Sequence, residues 1–201
     1  GKLGTGPSFH RLVTSVQQQP YSLSARPNPV KPTEADALIT LLTAELEPSP
    51  SWLRGSAVVA IGGWNSIFAV TLRVLRLLVG GAYALPGEDG ESGGTGGGMA
   101  AGVMMGGSFS LDDARKALAA VCDRGDEALL QVSGTSAEAE SVSFVVPKVA
   151  LLVAVASHLG IARIEFTPAT GGCAGLMALG NFTPLPPFDG GTNGTRSCES
   201  R

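Results

Sequence analysis

The stretch from Pro147 to His158 contains an uninterrupted apolar run, Val149 to Ala156, flanked by Lys148 and His158. Proline is favoured at a first helical position and glycine just past a helix end, so Pro147 and Gly160 predict one nearly all-apolar helix. A helix without a polar stripe must be covered on most of its sides. Everything else in the chain therefore has to be arranged around this segment. The run falls well short of the about 20 residues needed to cross a bilayer, so no membrane is expected as a partner.

The flanking segments alternate between helix and strand signals. Ile161 to Phe166 sets Ile161, Arg163 and Glu165 against Ala162, Ile164 and Phe166, the period of a strand. A glycine turn, Thr170-Gly171-Gly172, and a short helix through Leu179 follow it. Upstream, Ser56-Ala57-Val58-Val59-Ala60-Ile61 is a short apolar run ended by Gly62-Gly63, which reads as a buried central strand. A helix from about Asn65 to Leu78 comes next, with Ile67, Phe68, Val70, Thr71, Val74, Leu75 and Leu78 on its broad apolar face, while Arg73 and Arg76 can point to water. Thr33 to Leu46 predicts an amphipathic helix after Pro32, with Thr33 as N-cap and Asp36 three residues on. Ser110 followed by Asp113 is a second N-cap signal, leading into Ala114 to Cys122. Asp126 to Val132 is one more short helix.

Glycine divides the chain. Ten glycines fall between Gly87 and Gly107, without periodicity. Fixing such a run would cost much backbone entropy, so residues of about 84–107 are read as a flexible insertion. The tail 183–201 carries three prolines and little apolar content and is expected to be disordered. The fold class that results is α/β, a mixed sheet with helices on both faces, in one domain spanning 1–182.

Composition narrows the function. Fourteen basic and seventeen acidic residues give a net charge of -3, with charged residues only 15% of the chain. Holding a phosphate backbone takes clustered Lys and Arg, so no nucleic-acid partner is expected. Cys122, Cys173 and Cys198 share no Cys-x-x-Cys spacing, which gives neither a zinc site nor an even disulfide framework. A reducing, cytoplasmic setting follows as the expectation. Gly1 stands where a methionine would begin a complete protein, and reads as a partial start.

Each of the two strands ends at paired glycines that lead into a helix. In open α/β sheets ligands bind where strand carboxyl ends and the following helix N-termini converge. Gly62, Gly63, Trp64, Asn65 and Ser66 are accordingly the first candidates for phosphate contacts, and Thr170, Gly171 and Gly172 the second. Paired glycines also serve a tight strand-to-helix turn for steric reasons alone. Lys148 is the most conspicuous isolated charge, its ammonium either meeting a phosphate or reaching out to water. His10 and His158 lie at opposite ends of the chain, and no Gly-x-Ser-x-Gly elbow accompanies them or Cys122.

The run Val58-Val59-Ala60-Ile61-Gly62-Gly63 with its helix, the start Ser108-Phe109-Ser110-Leu111-Asp112, and Pro147 to Phe166 followed by Thr170 to Met177 together resemble the Ppx/GppA phosphatase family. That family comprises exopolyphosphatases and guanosine pentaphosphate phosphatases with the actin-like ATPase (ASKHA, ribonuclease H-like) fold. His158-Leu159-Gly160-Ile161 and Cys173-Ala174-Gly175-Leu176 resemble its later motifs, and the likeness spans about residues 53–182. Trp64 departs from the family's usual threonine, and Cys173-Ala174 from its Arg-Glu. Two Asp-x-Gly-Gly-Gly-Ser phosphate loops and a water-activating glutamate belong upstream in that family and have no counterpart in these 201 residues.

The resemblance implies the C-terminal ASKHA half of an enzyme that hydrolyses terminal phosphoanhydrides of polyphosphate or a guanosine polyphosphate with Mg²⁺. This chain would supply one wall of the phosphate crevice and no catalytic residue. The missing N-terminal half and a second copy of the chain are the partners to consider. A non-catalytic phosphate- or nucleotide-binding module is the main alternative, and a sugar or acetate kinase of the same superfamily a third reading.

Overall fold

The computed structural model describes residues 3–22, 24–48, 51, 54–63, 65–79, 106–133 and 142–168. Helix α1 (Thr5–Arg11) continues into a π-helical turn (Leu12–Val16). There follow α2 (Pro32–Thr43), β1 (Ala57–Gly62), α3 (Ile67–Leu78), β2 (Gly107–Ser110), α4 (Leu111–Val121), α5 (Asp126–Ser133), α6 (Val145–Leu159) and β3 (Arg163–Pro168).

The apolar helix is the centre, as its composition requires. Eleven of the fifteen residues of α6 are buried, and α1, α2, α3, α4 and α5 all pack against it. Its cover comes from helices: Leu38 and Leu42 of α2, Leu75 of α3 and Val121 of α4 are fully buried in the shared core. Gly160 ends α6 in the left-handed region at φ 68°, and the Ile161 N–H donates to the Ala156 carbonyl at 2.9 Å, the bond that satisfies an orphan carbonyl at a glycine-terminated helix. A Cβ at Gly160 would also lie 3.1 Å from Arg54 Cγ.

The sheet is small and mixed, in the order β1-β3-β2. β3 is parallel to β1, with Gly62 opposite Pro168, and antiparallel to β2, with Phe109 opposite Ile164. Among the described strands the central one is therefore β3, and the expectation that β1 is a buried central strand is corrected: β1 lies at an edge of the described sheet, and Val59 is 52% exposed. Its short apolar run was compatible with either place. Helices cover one face of the sheet, where Ala60, Phe109, Ile164 and Phe166 are buried. Ala57, Val59, Arg163 and Glu165 on the other face are exposed, and Arg163 there donates to Ser108 Oγ at 2.6 Å. Helices on both faces, as expected from the α/β pattern, are thus not found among the described residues, because the helices are drawn to α6 instead.

Local chemistry explains the element ends. α2 starts at Pro32 with Lys31 as N-cap, not at Thr33. Proline lacks the N–H that this position would leave unpaired, and the Glu34 carboxylate accepts the Lys31 N–H at 2.7 Å, reaching back as the third helical residue. α4 opens as its sequence predicts: the Asp113 N–H donates to Ser110 Oγ at 3.1 Å and the Ser110 N–H to Asp113 Oδ2 at 3.0 Å. Ser110→Ala removes one half of this reciprocal cap and is expected to lower stability by about 1 kcal/mol, read as a lower urea midpoint with an unchanged slope. An unchanged midpoint would show that α4 is held by its packing alone.

Two elements are not announced by the sequence pattern. α1 with its π turn, closed by the Gln17 N–H on the Leu12 carbonyl at 2.9 Å, begins among Gly4, Gly6 and Pro7. β2 emerges from the end of the glycine run, so the insertion stops before Gly107, which is strand. A Cβ at Gly107 would lie 3.3 Å from Arg76 Nη2 and 3.4 Å from a Leu72 methyl. Most of the glycine insertion, the Thr170–Leu179 turn and helix, and the tail from 183 lie outside the described residues.

Candidate functional site

β1 leaves the sheet at Gly62 and turns at once into α3. The Ser66 N–H donates to the Gly63 carbonyl at 3.0 Å, closing a four-residue turn. Ser66 then caps α3, its Oγ accepting the Ala69 N–H at 3.2 Å. A side chain at Gly62 cannot coexist with this arrangement: its Cβ would stand 2.8 Å from Ser66 Cβ and 2.9 Å from Ser66 Oγ. Gly63 has open space where a Cβ would go. The two glycines therefore do different things, and only the first is required by packing.

The parallel pairing of Gly62 with Pro168 brings the chain exits of β1 and β3 to the same end of the sheet, the juxtaposition on which the crevice argument depends. Of the expected contacts, Gly62, Gly63, Asn65 and Ser66 are together in the β1–α3 turn. Asn65 is exposed and Ser66 half-buried. Trp64, Thr170, Gly171 and Gly172 lie outside the described residues. Beneath the turn sits a residue that the sequence pattern assigns to a strand but not to the site. Phe166 is 3% exposed, stacks on Phe68 of α3 with ring centroids 6.1 Å apart, and would be 3.7 Å from a Cβ at Gly62. Its inward position in the β3 alternation was the signal that marked it.

The described groups at this turn are backbone amides, the Asn65 amide side chain and a Ser66 hydroxyl engaged as a cap. Helix geometry leaves the first-turn amides of α3 without intrahelical partners. The Ala69 amide is taken by Ser66, and those of Ile67 and Phe68 remain at the helix end, where the dipole favours negative charge. Asn65 adds an amide side chain. Mg²⁺ is usually held by one or two carboxylates together with substrate phosphates. The turn residues Gly62, Gly63, Asn65 and Ser66 include no carboxylate, and no group of three His, Cys, Asp or Glu side chains converges among the described residues. These residues do not fit a protein-held Mg²⁺ site.

The arginines of α3 are not directed to water as a single amphipathic face would have them. Arg76 Nη2 donates to the Gly106 carbonyl at 2.8 Å. Burial pushes the Arg73 guanidinium down to about 10. α3 packs against α4, α5 and α6 as well as the sheet, so it has little free perimeter. Lys148 is 9% exposed on α6. Burial, and next the charge of Arg73, push its ammonium below the usual lysine range.

Among the described residues, His10, His158 and Cys122 are engaged or inert as nucleophiles. His10 packs on Tyr21 with ring centroids 4.6 Å apart, and His158 Nε2 donates to the Glu47 carbonyl at 2.6 Å. Burial, then the neighbouring Asp123, pushes the Cys122 thiol up to about 11. Only the thiolate is a competent nucleophile, so Cys122 is a core side chain. Comparison of the chain with protein-family models, with curated proteins and with solved structures finds no match.

Proposed function

We propose that this chain is a phosphate-binding α/β module that forms one wall of the crevice of an exopolyphosphatase or guanosine polyphosphate phosphatase. The observation that carries the reading is the β1–α3 turn. Gly62 is kept small so that Ser66 can cap α3 directly against the strand end, and this presents the α3 N-terminus beside the exit of β3. Terminal phosphoanhydride hydrolysis depends mainly on positioning and charge stabilisation, which backbone amides and Asn65 can supply. Support for the enzyme class itself comes from the motif resemblance. The ASKHA assignment belongs to this proposal too.

One observation favours the second reading, a binding module without catalysis. The Ser66 hydroxyl is occupied as a cap and the turn has no carboxylate, so nothing described at this wall activates water. The chain by itself is therefore expected to bind polyphosphate and to release no phosphate from it.

Calorimetric titration with short-chain polyphosphate tests the site. Asn65→Ala is expected to weaken binding about tenfold, the loss of one good polar contact to a charged group. Ser66→Thr, which keeps the cap, should leave it nearly intact. A folded chain that does not bind polyphosphate, or an Asn65→Ala variant that binds as the parent does, would overturn the site. Phosphate release above the protein-free control would instead show a catalytic group in this chain.

A further inference from the structure

We draw no further inference here: the strongest candidate, the edge of the described sheet at β1, where an uncharged strand leaves Val59 exposed, carries nothing because nothing in the structure shows what covers it.

Discussion

Gly62→Ala is expected to lower the unfolding free energy by about 2 kcal/mol, within the usual range of about 1–3 for a side chain forced into filled space. The added Cβ would meet Ser66 Cβ at 2.8 Å and Oγ at 2.9 Å, and Ser66 cannot withdraw without giving up the Ala69 N–H that it caps. The backbone conformation is not the obstacle, since Gly62 does not have a positive φ. A double-mutant cycle isolates the cause. Ser66→Gly costs only a few tenths of a kcal/mol as a cap replacement and removes both clashing atoms, so Gly62→Ala in that background should cost less than about 0.5 kcal/mol. Gly63→Ala, facing open space, should be neutral or gain up to about 1 kcal/mol from a less flexible unfolded chain. Urea unfolding of the parent and these variants gives the cycle. If the two glycines prove equally sensitive, or the cost persists in the Ser66→Gly background, the steric account of the turn is wrong.

Phe166→Ala is expected to cost more, about 3–5 kcal/mol, as for other buried aromatic truncations. The ring is 3% exposed on the central strand. It packs on Phe68 from α3 and lies under the end of β1, so its loss opens a cavity where the sheet, the turn and α3 meet. A domain of ordinary stability has only about 5–15 kcal/mol in total, and Phe166→Leu keeps the experiment informative should the alanine variant fail to fold. The leucine variant should fold with a reduced midpoint and bind polyphosphate more weakly, because the α3 N-terminus is no longer held against the strand. A cost for Phe166→Ala below about 1 kcal/mol would mean that the turn is supported by something other than this ring.

What could be read along the chain was local. Ser110 and Asp113 announce α4, because a reciprocal cap needs only residues three apart. Pro147 and Gly160 mark α6 to within two residues of its bounds, and the alternation of Ile164 and Phe166 marks β3. The start of α2 was misplaced because proline at a first helical position, with Glu34 behind it, competes with Thr33 as a start signal. β2 was hidden because four residues at the end of a glycine run have too little pattern to register as a strand. In the candidate site, Gly62 was legible as part of a glycine turn, whereas the cap at Ser66 and its closeness to Gly62 were not. Lys148 was visible as a charge on an otherwise apolar helix, but its burial was not.

By itself the sequence determined that one helix must be central, that two strand segments end in paired glycines, and where most helices begin. These follow from capping, turn and periodicity rules acting over a few residues, and from the insolubility of an uncovered apolar helix. Only the tertiary structure decided that β3 and not β1 is the central strand among those described, that no described helix covers the second sheet face, and that Lys148 is buried. The physical reason is that an apolar run specifies burial without specifying its cover. α6 drew five helices around itself, and this competition for helical cover left β1 at an edge of the described sheet.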